Sequence, residues 1–191
     1  MDIVVSNIIQ VLDEMGIQSA VFMGVSLGTI FIKYMEMRYG SYIDKAILVG
    51  ALGAVGKPLR RAVNVFARIG DKLPFPIVYR IMAKLFMPWK VSRTSRKVFC
   101  KCAKALNSVE FKAYMNIFIE HFSFCDEFVS VSHEENIYIS GRGDLCFING
   151  IVEESDLTDA TLIIIEHCGH VCNIDQGRQF NEIISEVLSI E

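Results

Sequence analysis

The sequence predicts an α/β fold, a parallel sheet flanked by helices with a helical cap inserted into it. Three observations predict it. Short apolar runs (Ile17 to Met23, Ile43 to Val49, Ile137 to Ser140, Thr161 to Ile165) alternate with segments of helical period. A glycine-flanked serine, Gly24-Val25-Ser26-Leu27-Gly28, joins the first run to the helix after it. The composition then changes at Lys57, where a basic helical stretch separates the second run from the third.

In chain order, Ile3, Val4, Ile8, Val11 and Leu12 repeat at helical spacing, and Gly16 is placed to end that helix. Ile17 to Met23 reads as a buried strand. The helix after Ser26 carries Ile30, Phe31, Tyr34 and Met35, and Gly40 closes it. Ile43 to Val49 is the next strand, and it runs into Gly50-Ala51-Leu52-Gly53 without a carboxylate. Pro58 to Ile69 has a helical pattern, and Pro74 and Pro76 break the chain. Ile77, Val78, Ile81, Met82, Leu85 and Phe86 form the apolar stripe of a helix that Pro88 stops. The next helix puts Arg93, Arg96, Lys97, Lys101 and Lys104 on one face and Val98, Phe99, Cys102 and Leu106 on the other. Phe111, Met115, Phe118 and Phe122 mark a fourth. Ile137 to Ser140 returns to the sheet, and Leu145 to Glu154 is a short helix. Thr161 to Ile165 is rich in β-branched residues, as a strand buried on both faces should be. Asp175 is placed to cap a last helix with Phe180, Ile183, Ile184, Val187 and Leu188 on its inner face. The expected division is 1–56 and 133–191 for the two parts of the core and 57–132 for the cap.

A chain of 191 residues suits one domain with an insertion. At 52% hydrophobic and 21% charged residues it can build a core, so disorder is excluded. No apolar run reaches the roughly 18 residues of a membrane span. Met1 to Val5 has neither a basic region nor a cleavage site, so no secretory signal is expected. Six cysteines in a chain of this length do not read as a disulfide scaffold, and a cytoplasmic setting follows. The net charge of −3 is unevenly spread. Thirteen of the nineteen basic residues, and one of the twenty-two acidic ones, lie between Lys57 and Lys104.

The chemistry starts from the serine. On a very tight strand-to-helix turn its hydroxyl stands above the sheet, and Gly24 and Gly28 supply the small neighbours such a turn needs. The N–H of Leu27, at a helix N-terminus, then faces a developing oxyanion. Serine is a weak nucleophile without a base. Gly169-His170 follows the run Leu162 to Ile165, and Gly141-Arg142-Gly143-Asp144 ends the run Ile137 to Ile139. All three residues fall just past strand ends, where open α/β sheets place their sites.

The order Ser26, Asp144, His170, with the motifs around them, resembles the α/β-hydrolase superfamily. The resemblance is clearest at the serine turn, at Gly141 to Asp144 and at Gly169-His170-Val171-Cys172-Asn173-Ile174, with Lys57 to Ser132 matching only as a variable cap. It implies an α/β-hydrolase-like sheet and a serine hydrolase acting on a carboxylic ester or thioester. Ser26 would be the nucleophile, His170 the base, Asp144 its orienting acid and Leu27 an oxyanion donor, with no cofactor. Small-substrate lyases and carbon–carbon hydrolases resemble this family too, so the bond cleaved stays open. Members carry several strands ahead of the serine turn, one of whose loops gives a second oxyanion donor. Here 23 residues precede Gly24, so an incomplete sheet of about four strands is expected. Ala20 to Met23 would then be a bare edge, open to a second copy or a partner chain. The alternative is an impaired fragment or non-catalytic subunit that needs a missing N-terminal half.

Cys168-x-His170-x-Cys172 lacks the second ligand pair of a metal site, so no metal is expected. His121, His133 and His167 have no assignable partner and read as surface or structural. The basic cap admits three readings. Its charges are solvated faces around an apolar lining. Or Arg60, Arg61, Arg80 and Arg96 reach an anionic, lipid-like substrate. Or the cap makes peripheral contact with an anionic membrane, with Phe75, Phe86 and Trp89 inserting. Nucleic acid is excluded, because no binding motif occurs and the rest of the chain is acidic.

Overall fold

The structure is a computed structural model. It describes residues 1–53, 61, 63, 65, 73–88, 90, 92–129 and 135–189, the side chains of 122–129 aside. In chain order the elements are α1 (Asp2–Glu14), β1 (Ala20–Val25), α2 (Leu27–Tyr39), β2 (Ile43–Val49), α3 (Phe75–Phe86), α4 (Arg93–Cys102), α5 (Ser108–Val129), β3 (Ile137–Gly141), α6 (Ile148–Thr158), β4 (Thr161–Ile165), α7 (Cys172–Asp175) and α8 (Gly177–Leu188). The four strands pair in the order β1-β2-β3-β4, all parallel. Among the described residues β1 and β4 are therefore the edges of this sheet, and β1 pairs with β2 alone.

Alternation along the strands sorts side chains onto two faces. Ala46, Leu48 and Tyr138 point to one face, where they pack with Ile30 and Ile32 of α2 and Ile151 of α6. Ile47, Val49, Ile139 and Ile165 point to the other, against Phe180 and Ile183 of α8. α1 lies behind α2 and buries Val5, Ile9 and Leu12 against Tyr34 and Met35. The register pairs Met23 with Ile47 and Val25 with Val49, so Met23 and Val21 face the same side as α8. That helix does not cover them, and Val21 and Met23 remain 46% and 52% exposed.

Several expectations need correction. β1 starts three residues later than the apolar run and continues to Val25, through the glycine motif. Pro76 does not break the chain; it sits in the first turn of α3, where a missing N–H costs nothing. α6 begins at Ile148, because Leu145 to Phe147 still belong to the turn after Asp144. β4 is not buried on both faces; as an edge strand its Leu162, Ile163 and Ile164 are half-buried. Asp175 does not cap the last helix. Its carboxylate accepts from the N–H of Ser95 (3.3 Å) and from the Ser95 hydroxyl (3.1 Å), in the first turn of α4. An acid there is matched to the positive end of the helix, and it ties α4 to the segment after His170. The helical pattern of Pro58 to Ile69 falls almost wholly outside the described residues. No helix among the described residues is long and apolar enough to cross a membrane.

Candidate active site

Ser26 sits between the last residue of β1 and the first of α2, with φ 52° and ψ −114°. A side chain in that region carries strain of roughly 1–3 kcal/mol, held only where the surroundings dictate it. The surroundings are explicit. The Ser26 N–H donates to the carbonyl of Val49 on the neighbouring strand (2.9 Å), and the Ser26 carbonyl accepts from the Thr29 hydroxyl (2.6 Å). Gly24 is needed because a Cβ there would come within 2.8 Å of the Gly28 backbone. Gly28 is different from what its spacing suggests, since a Cβ on it would meet nothing within 4 Å.

The other two predicted residues arrive from the ends of β3 and β4. Asp144 follows the turn after Gly141, and His170 follows β4. The two loops touch at Gly141, where a Cβ would lie 2.2 Å from the Gly169 carbonyl oxygen. This close approach delivers the imidazole. His170 Nε2 is 2.7 Å from Ser26 Oγ, and His170 Nδ1 is 2.8 Å from Asp144 Oδ2. Asp144 and His170 are buried, and the imidazole stands beside the ring of Phe147 at 5.1 Å between centroids. With Nδ1–H donating to the carboxylate, Nε2 is left to accept the serine proton. Both nitrogens are thus engaged, which leaves none for a metal between Cys168 and Cys172. Leu27 opens α2, so its N–H has no partner inside the helix.

Ser26, Leu27 and His170 line the floor of a cavity of about 360 Å³. Its walls are Leu52, Tyr79, Met82, Phe86, Met87, Phe99, Leu106 and the α5 side chains Phe111, Met115 and Phe118, with Tyr114 and Val171. Among the described residues, no charged side chain lines it. The sequence reading missed this lining as a unit. The signal was present in the apolar stripe of each helix, but periodicity does not show which stripes converge. It also missed Thr29, which is fully buried and whose Oγ accepts from the Leu52 N–H at 3.4 Å.

The predicted cationic contacts divide. Arg80 lines a second hollow rather than the cavity at Ser26. Arg96 is half-buried and its guanidinium donates to the Met87 carbonyl, so it braces the cavity wall instead of facing the serine. Arg61 is exposed and lines neither space; Arg60 lies outside the described residues. Phe86 cannot insert into a membrane, because it is 8% exposed and packs on Phe118 and Phe147. Trp89 lies outside the described residues, and Phe75 is half-buried. His121 is structural: buried, it donates from Nε2 to the Leu52 carbonyl (2.7 Å), and burial pushes its pKa down to about 4. His167 is exposed, and His133 lies outside the described residues.

No protein-family model matches this chain, and no curated protein matches it. Solved structures do. An esterase (EaEST) from Exiguobacterium antarcticum superposes with a TM-score of 0.75 at 15% identity, covering 96% of this chain and 72% of that one. A meta-cleavage product hydrolase (CumD) from Pseudomonas fluorescens gives 0.69 at 21% identity, covering 97% and 70%. The 2-hydroxy-6-oxo-6-phenylhexa-2,4-dienoate hydrolase (BphD) of a Rhodococcus strain gives 0.72 at 16% identity, covering 97% and 69%. At these identities the likeness is one of fold: the chain has the α/β-hydrolase fold.

Proposed function

We propose that this protein is a serine hydrolase that cleaves a carboxylic ester or thioester through an acyl-enzyme. The single observation that carries the reading is the run Ser26 Oγ, His170 Nε2, His170 Nδ1, Asp144 Oδ2, with steps of 2.7 and 2.8 Å, on the floor of an apolar cavity.

Ser26 Oγ bonds to the carbonyl carbon as its proton passes to His170 Nε2. The buried Asp144 carboxylate holds the ring and stabilises the imidazolium. The carbonyl oxygen becomes an oxyanion facing the Leu27 N–H and the positive end of α2. Collapse breaks the bond to the alcohol or thiol, which leaves with the proton from His170. Water then gives its proton to His170 and attacks the acyl-serine. The acid departs and Ser26 recovers its hydrogen. Side chains and water supply every proton and bond in this sequence.

The cavity lining selects an apolar acyl or alkyl group. Burial of such a group is worth about 25 cal/mol per Å² removed from water, and only uncharged substituents avoid a desolvation cost there. The test is turnover of short-chain p-nitrophenyl esters and thioesters by wild type and Asp144→Asn. Asparagine keeps the shape and removes the charge, so a loss of up to about 10⁴-fold in kcat is expected. Undiminished turnover in Asp144→Asn would place the acid elsewhere.

A further inference from the structure

A second hollow, of about 460 Å³, lies between α3 and α4. Arg80 of α3, Lys97 and Lys101 of α4, and Lys104 just beyond it line this hollow. All four side chains are exposed, and none of them has a carboxylate partner among the described residues. The spacing makes this costly. Lys97 and Lys101 are one helical turn apart, and Lys104 follows at the next, so like charges are stacked along one face without relief. The hollow adjoins the cavity above Ser26, and the two share Tyr79 and Leu106 as wall residues. Tyr79 stacks on Phe99 with 4.2 Å between ring centroids, and Phe99 faces the apolar side. Ser26 and His170 line only the apolar space. The basic hollow therefore meets the cavity away from the reacting pair.

We propose that the basic hollow holds the anionic end of the same molecule whose apolar part fills the cavity. The substrate is then an amphiphilic ester: the scissile carbonyl at Ser26, an apolar chain through the cavity, and a terminal carboxylate or phosphate beyond the Tyr79–Phe99 stack. This rests on the reading of Ser26 as the nucleophile. The anion relieves the repulsion among Arg80, Lys97, Lys101 and Lys104, and each contact is a charge-assisted hydrogen bond.

The experiment compares kcat/KM for p-nitrophenyl octanoate with that for the p-nitrophenyl monoester of octanedioic acid and for an ω-phosphono octanoate ester. Wild type should favour an anionic ester by at least about tenfold at low salt, as one good charge-assisted contact allows. The ratio should shrink as the Debye length falls from about 10 Å at 0.1 M to about 3 Å at 1 M salt. The combined variant Lys97→Gln, Lys101→Gln, Lys104→Gln should bring it near unity. Lys84→Gln, on α3 but not lining the hollow, should keep the wild-type ratio. The two anionic esters separate a carboxylate site from a phosphate site. A wild-type ratio near unity, or one that survives the triple substitution, overturns the proposal. So does binding to phosphatidylglycerol vesicles without any preference among monomeric esters, which would make the cations a membrane contact. Calorimetry of octyl phosphate with Ser26→Ala separates the hollow from the nucleophile. A dissociation constant raised about tenfold by the lysine substitutions supports the hollow even if Ser26→Ala keeps its turnover. An unchanged constant overturns it even where Ser26 is the nucleophile.

Discussion

Glu36 makes stability depend on pH in a direction opposite to that of most carboxylates. It lies on α2, the helix that begins next to Ser26, and it is 5% exposed. Burial raises its pKa to about 7 from an ordinary 4.5, against the opposing pull of the Asn136 amide, which donates to it at 2.7 Å. A raised acid keeps its proton in the folded state after the unfolded chain has lost its own. Its contribution is therefore complete below pH 4.5, and it is lost as pH rises to about 7. At 1.36 kcal/mol per unit the loss is about 3 kcal/mol. Glu36→Gln retains the acceptor for Asn136 and does not ionise. Urea unfolding of both proteins from pH 4 to 8 reads Glu36 in the difference, because titrations of groups that do not interact with it cancel. The variant should gain on wild type by about 3 kcal/mol across the interval, with the change complete near neutrality. Parallel curves would refute the reasoning, and would mean that Glu36 is charged in the fold.

Close by, Lys33 and Glu154 form a buried ion pair, 2% and 1% exposed, and the Tyr138 hydroxyl also donates to Glu154 (2.8 Å). Lys33→Ala should cost roughly 3–5 kcal/mol in chemical unfolding, because it strands a buried carboxylate. Lys33→Met with Glu154→Gln should recover most of that, and a double variant as unstable as the single one would show that the pair is not what the site needs. The outer edge of β1 has no strand partner among the described residues, and we expect it to pair with a second copy through its backbone groups and the exposed Val21 and Met23. Analytical ultracentrifugation should show self-association that Val21→Lys with Met23→Lys abolishes; a concentration-independent monomer in wild type would contradict it.

The elements legible in the sequence were those with local causes. β2 and β4 have the predicted limits because each apolar run is bounded by turn residues. The chain order Ser26, Asp144, His170 pointed to a site because each residue follows a strand, and parallel strands deliver their ends to one edge of the sheet. What was hidden depends on where elements lie relative to one another. Periodicity along α2 says nothing of Lys33 and Glu36, because their partners come from α6 and from the residue just before β3, distant in the chain. Arg80 and Arg96 share one composition, yet one lines the basic hollow and the other holds a carbonyl. Phe86 read as a surface anchor because nothing local says that Phe118 and Phe147 meet over it. Asp175 read as a cap for the helix that follows it, and it caps a helix far away in the chain.

The central claim is that Ser26 is the acylated residue. Reaction with a fluorophosphonate, followed by mass mapping of the adduct, tests it most directly. Attack by Ser26 Oγ on phosphorus with loss of fluoride should add one phosphonyl group there, and Ser26→Ala and His170→Ala should abolish the labelling. An adduct at another serine, or equal labelling of Ser26→Ala, would contradict the account.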